Sequence, residues 1–142
     1  MLFMNSHFVL AVHLMLVMAR RGTEPMTSAD AARSINSNPV FLRRVMRQLA
    51  RAGLVVTQTG PTGGSRLARA AAEITLGDIY RAVEPENLFA LHAQTPNPKC
   101  PIGSRIQRAL LPTLSEAEQA LQQTLERKTL AQQLEELQRL PR

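Results

Sequence analysis

Tryptophan is absent from this chain, and aromatic residues make up 4% of its 142 positions. A large sheet is therefore not expected, because aromatic and β-branched residues lead in strands, whereas Leu, Met and Ala favour helices. Cysteine occurs once, at Cys100. That excludes a disulfide framework within the chain and fits a reducing, cytoplasmic compartment. Long hydrophobic runs are missing too. The apolar stretch Phe8 to Ala19 contains His13 and falls short of the roughly 20 residues of a membrane span. Its positive charges, Arg20 and Arg21, follow it, opposite to the order in a secretory leader. No membrane partner is expected. The stretch reads instead as a helix buried on more than one face, which in so small a chain calls for a partner surface.

Acidic residues are also missing from Phe41 to Arg69, where arginine stands at 43, 44, 47, 51, 66 and 69. The chain as a whole has 17 Lys+Arg against 11 Asp+Glu, a formal net charge of +6. Residues 1–72 carry nine basic and two acidic side chains, and residues 73–142 carry eight and nine. The first half is thus strongly basic and the second nearly neutral. Such asymmetry points to an anionic partner on the first half, with nucleic acid ahead of an acidic membrane surface.

Helix signals come in a definite order. A first helix runs from about Ser6 to Arg21 and stops before Gly22. In "TSAD", Thr27 and Asp30 form a capping box that opens a short helix to about Ser34. Asn38 as N-cap and Pro39 at the first helical position start a third helix. There Leu42, Val45, Met46 and Leu49 make one buried stripe, and Arg43, Arg44, Arg47 and Arg51 share the opposite face. Gly53 ends it. "LVVTQ", the turn "TGPTGG" and "SRLAR" read as a hairpin. Two short helices joined by a tight turn, then strand–turn–strand, predict a winged helix-turn-helix over residues 1–72.

A second capping box, Thr75 with Asp78, starts a connecting helix to about Val83. The segment "PENLFALHAQTPNPKCPIG" then reads as a long loop, and residues 73–103 together form a connecting helix with a candidate sensor loop. Residues 104–142 read as dimerisation helices, with packing of their leucines on the chain's own domain as the alternative. One has a stripe of Leu114, Ala117, Leu121 and Leu125; the other, capped by Thr129, has Leu130, Leu134, Leu137 and Leu140. The fold class is mainly α with a small β-hairpin wing.

The residue types on the wing and third helix suit DNA. A major groove about 12 Å wide admits an α-helix, and arginine donates bidentately to guanine edges or pairs with phosphates. Arg43, Arg44 and Arg47 are the candidates, with Ser37 and Asn38 near phosphate or base edges; for Asn38 capping is the favoured role. At the wing tip Gly60, Gly63 and Gly64 let backbone approach a duplex, and Arg66 follows to meet phosphate or minor groove. A phosphate-binding P-loop would need a Lys after the last glycine, and "GGSR" has none. No enzyme is expected: His7 and His13 sit on an apolar helix without an acidic neighbour, Tyr80 reads as packing, and no zinc spacing or nucleophile motif is visible. His92 and Cys100, with Lys99 beside the thiol, are candidate sensor residues for oxidation or a metal, against the plainer reading of a small buried thiol and a surface imidazole. No cofactor and no metal are expected, and no motif identifies a small-molecule effector. A protein-interaction domain that no longer binds DNA stays open as the alternative.

"NPVFLRRVMRQLARAGLV", "TGPTGGSRLAR" and "ITLGDIYRAVE" together resemble the Rrf2 family of bacterial winged-helix transcription regulators, over nearly the whole chain. "LERKTLAQQL" resembles that family's long dimerisation helix and its short successor, and "LFALHAQTPNPKCPIG" resembles a subgroup with a single cysteine there. The resemblance implies a homodimer on a partly palindromic operator, usually a repressor. Cluster-binding members bring three cysteines together in this loop; with Cys100 alone, an iron–sulfur cluster is not expected. The family's wing often has Arg before its first glycine and an aromatic after its last, where this chain has Thr59 and Ser65, with Arg66 to compensate.

Overall fold

The computed structural model describes residues 7–84, 88–89 and 91–142. The expected helix start at Ser6, and the parts of the proline-rich segment at 85–87 and 90, lie outside the described residues. Among the described residues, six α-helices and one hairpin follow in order: α1 (His7–Arg21), α2 (Ser28–Ser34), α3 (Pro39–Arg51), β1 (Val55–Gln58), β2 (Gly64–Leu67), a 3-10 turn (Ala71–Glu73), α4 (Leu76–Val83), α5 (Ile106–Glu126) and α6 (Leu130–Arg139). This is the winged helix-turn-helix with appended helices that the sequence predicts. Among the described residues, no helix is long and apolar enough to cross a membrane.

Local chemistry sets the helix ends. At α2 the Thr27 hydroxyl accepts from the Asp30 N–H at 3.1 Å, and the Asp30 carboxylate accepts from the Thr27 N–H at 2.9 Å. The Thr27 N–H and the Thr27 hydroxyl, which also donates to the Asp30 carboxylate at 2.9 Å, followed by Arg33 and Arg21, hold the Asp30 carboxyl below its ordinary range. Thr75 with Asp78 and Thr129 with Gln132 repeat the motif at α4 and α6. Asn38 caps α3, its Oδ1 accepting from the Val40 N–H at 2.8 Å. Gly22 and Gly53 close α1 and the turn after α3 at φ 66° and 75°, a region that side chains with a Cβ avoid.

α1 is the centre of the core. Ala11, Leu14 and Met15 have no exposed surface, and they meet Val45 and Leu49 of α3, Ile74 and Ile79 around α4, and Leu130 of α6. The His13 Nε2 lies 2.8 Å from the Ser34 hydroxyl and ties α1 to α2. The His7 ring meets Phe41 at 4.5 Å, and Phe8 meets Tyr80 edge-on at 5.5 Å. Both histidines and the tyrosine therefore join helices to one another. The sequence suggested that a partner would have to cover α1. The structure instead covers most of it within the chain, because α6 returns to pack on α1 and on the 3-10 turn. A short antiparallel bridge holds it there: the Leu130 N–H donates to the Ile74 carbonyl at 2.8 Å, and the Leu76 N–H to the Lys128 carbonyl at 2.9 Å. The α6 stripe is consequently divided, with Leu130 in the core, Leu134 packed against it, and Leu137 and Leu140 exposed.

α5 begins at Ile106, two residues later than expected, because Cys100 to Arg105 form turns in which the Ser104 N–H bonds the Cys100 carbonyl at 3.0 Å. Its 21 residues extend about 31 Å at 1.5 Å per residue, against about 12 Å for the eight of α4. α4 packs on the C-terminal part of α5, where Arg81 joins Asp78 to Glu126 and Gln122. Gly77 permits that approach; a Cβ there would lie 2.5 Å from the Glu126 Cγ. α4 is too short to reach the first turns of α5, and no residue of α5 is fully buried.

Candidate nucleic-acid interface

The exposed face of α3 is built by its periodicity. At about 100° per residue, Arg43, Arg44, Arg47 and Arg51 fall within about 100° of arc, opposite Leu42, Val45, Met46 and Leu49. All four arginines are exposed, while Val45 and Leu49 are fully buried. Among the described residues, none of the four has a carboxylate within 4 Å, and neither has Arg66. The two acids of the first half are taken elsewhere: Arg21 reaches Glu24 at 3.0 Å and Asp30 at 3.3 Å, and Arg33 also pairs with Asp30. Ser37 is exposed in the bend before α3, and Asn38 spends its carbonyl oxygen on the cap. Val40 lies on the same arc as the arginines and is exposed as well. The sequence reading passed over Val40 because it followed charge; extending the i, i+3, i+4 series back from Arg43 and Arg44 finds it.

The wing pairs Val56 with Arg66, Thr57 with Ser65 and Gln58 with Gly64 in antiparallel register. Ser65 is buried, because Met26 adds an isolated bridge on the other side of β2, its N–H donating to the Ser65 carbonyl at 2.7 Å. The Ser65 hydroxyl meets that of Thr57 at 3.2 Å. The side chain that β2 presents outward is Arg66, opposite exposed Val56. The three wing glycines differ in what requires them. Gly60 has φ 105° and open space around it. A Cβ at Gly63 would stand 2.1 Å from the Gln58 carbonyl, so the hairpin's own closure demands glycine there, and one at Gly64 would stand 2.8 Å from the Met26 carbonyl, so the Met26 bridge demands it at that position. The Met26 bridge is long-range and left no mark in the sequence pattern.

His92 and Cys100 occupy the segment before α5. His92 is exposed, and Cys100 is half-buried with its Sγ accepting from the Gly103 N–H at 3.3 Å. That bond and one from the Ile102 N–H lower the thiol pKa; the sequence had pointed to Lys99 for this effect. Between α4 and α5 lies an open cavity of about 660 Å³, lined in part by Tyr80, Glu84, Glu118 and Gln122. Burial first, then Glu84 and Glu118, raise the Tyr80 pKa.

Comparison with known proteins gives this geometry a context. The model of the Rrf2 family, described as iron-dependent transcriptional regulators, matches residues 4–136. YwnA of Bacillus subtilis (strain 168), named provisionally as an HTH-type transcriptional regulator, is 38% identical over 127 residues, which is 89% of this chain and 92% of YwnA. A crystal structure of a protein provisionally titled DNA-binding is 31% identical with a TM-score of 0.73, covering 89% of this chain and 97% of that one. A provisionally assigned regulator from Lactobacillus plantarum shares the fold at 24% identity and a TM-score of 0.81, covering 96% and 92%.

An iron–sulfur cluster, one form the iron in the family's description could take, does not fit the single cysteine of this chain. Among the described residues, no three His, Cys, Asp or Glu side chains come together as a metal site needs, and Cys100 is the sole cysteine of the sequence. A cluster ordinarily takes four protein ligands, mostly cysteine. Protein purified without oxygen is therefore expected to be colourless; a visible charge-transfer band with stoichiometric iron would reassign His92 and Cys100 as ligands. The family model spans residues 4–136, and YwnA is 38% identical over 89% of the chain. The chain belongs to the Rrf2 family of transcriptional regulators.

Proposed function

We propose that the protein is a homodimeric repressor that binds double-stranded DNA at a partly palindromic operator. α3 enters the major groove with Arg43, Arg44 and Arg47 toward base edges, and Ser37 and the capped turn at Asn38 lie close to the backbone. Gly60 at the wing tip lets the hairpin approach, and Arg66 meets phosphate or minor groove, with Gly63 and Gly64 shaping the turn. The observation that carries this reading is the set of exposed arginines on one face of α3 with no carboxylate beside them among the described residues, in a half of the chain whose acids are already paired. Guanidinium groups left without internal partners keep all their donors for phosphate and guanine.

The first turns of α5 support the dimer. Leu110 and Leu111 are exposed there, beyond the reach of α4. A second copy is the natural cover, because a two-fold pair buries the same patch on both chains. Such a pair also presents two recognition helices to half-sites about 34–36 Å apart, and occupancy of the operator suffices for repression.

Selection from random duplexes should recover an inverted repeat. Affinity for it should fall with salt at a log–log slope of about −0.9 per neutralised phosphate. No enriched sequence, or a flat salt dependence, would move the reading to a protein-interaction domain. Cys100→Ser should bind the recovered repeat like wild type in reducing buffer, since the thiol lies outside the arginine face; a binding defect there would give Cys100 a direct part in DNA affinity.

A further inference from the structure

The first turn of α3 carries an apolar residue that the fold does not use. Val40 is 63% exposed and stands outside the core cluster to which α3 contributes Phe41, Leu42, Val45, Met46 and Leu49. Helix propensity does not account for it either, because a β-branched side chain loses rotamer freedom in a helix and ranks well below alanine there. Its position is nevertheless well defined: the Val40 N–H donates to the Asn38 cap at 2.8 Å, directly after Pro39. At about 100° per residue Val40 falls within the arc of Arg43, Arg44, Arg47 and Arg51. It is the large apolar side chain of an otherwise cationic face.

The charge of that face selects a polyanion, and the N-terminal residues of a recognition helix are the ones that contact base edges. Valine can neither donate nor accept a hydrogen bond. Set against guanine, adenine or cytosine in the major groove, it would leave a donor or acceptor dehydrated and unmatched. Thymine is different, because it presents a C5-methyl group there. Resting on the operator-binding reading above, we infer that Val40 is a specificity-determining residue that packs its two methyl groups on the C5-methyl of one thymine in each half-site. That thymine neighbours the base read by Arg43 or Arg44.

Deoxyuridine tests this, since it removes the methyl and changes no hydrogen-bonding group. In the recovered inverted repeat, each symmetric pair of thymines is replaced by deoxyuridine in turn. One pair should weaken wild-type binding about fourfold per half-site, the change that corresponds to about 0.8 kcal/mol for one buried methyl. Val40→Ala should bind the thymine and deoxyuridine forms of that pair within about twofold of each other, and the shorter side chain endangers no packing. Wild-type affinity unchanged by every replacement would overturn the inference while leaving operator binding intact. So would a sensitive pair that stays equally sensitive in Val40→Ala. Recovery of no operator would overturn both this inference and the regulator reading.

Discussion

Leu110→Glu combined with Leu111→Glu is expected to give monomers and to lower operator affinity about a thousandfold, to the level of non-specific binding. The expectation follows from how α5 is held. Its C-terminal part is fastened to α4 by Arg81 with Glu126 and Gln122, and Leu121 lines the cavity between the two helices. Leu114, Leu121 and Leu125 are all half-buried, whereas Leu110 and Leu111 are 44% and 47% exposed. The stripe that the sequence marks for dimerisation, Leu114, Ala117, Leu121 and Leu125, does not include Leu110 and Leu111, yet these are the leucines of α5 left exposed. Glutamate at 121 or 125 would disturb the chain's own packing, so loss of dimers there would be ambiguous. Glutamate at 110 and 111 replaces side chains already open to solvent in a single chain, and it becomes costly only when a second copy dehydrates it. Sedimentation should show the monomer, with a melting temperature close to that of the isolated wild-type protomer. A wild type that sediments as a monomer at micromolar concentration would contradict the proposal.

Arg43→Ala and Arg47→Ala should each weaken specific binding by about 1–3 kcal/mol, or roughly 5- to 150-fold, and relax preference at one base per half-site. Arg66→Ala should weaken binding to all sequences alike and reduce the salt slope by about one per protomer, as loss of a phosphate contact does. These arginines are exposed and, among the described residues, have no carboxylate beside them, so truncation should strand no acid and the fold should melt as wild type does. Arg81→Ala makes a useful contrast, because it removes the cation that bridges Asp78 of α4 to Glu126 of α5 and should lower stability instead. Selection profiles of the three interface variants beside wild type decide the matter. Three profiles and affinities identical to wild type would remove α3 from the interface.

Much of this architecture is written locally. Thr27 with Asp30, Thr75 with Asp78, and Asn38 with Pro39 act within four residues, so the sequence located the starts of α2, α3 and α4 to the residue. The face of α3 was legible for the same reason: a period of 3.6 sorts leucines from arginines without knowledge of anything else in the molecule. What depends on distant partners was not legible. Ser65 looked like a weakened wing residue until Met26, far away in sequence, was found bridging β2 and burying it. Likewise α1 looked in need of a partner until α6 came back to cover it, held by a bridge between segments 74–76 and 128–130.

By itself, then, the sequence determined which segments are helical, where the capped helices α2, α3, α4 and α6 start, and which face of each is apolar or cationic, because capping bonds and helical periodicity are short-range. Only the tertiary structure decided what covers each apolar face. The same leucine spacing on α5 and α6 is compatible with the chain's own core or with another copy, and periodicity carries no information about the neighbour. Leu130 goes to the core because the Ile74 carbonyl captures its N–H, and Leu110 and Leu111 stay uncovered because α4 ends too soon to reach them.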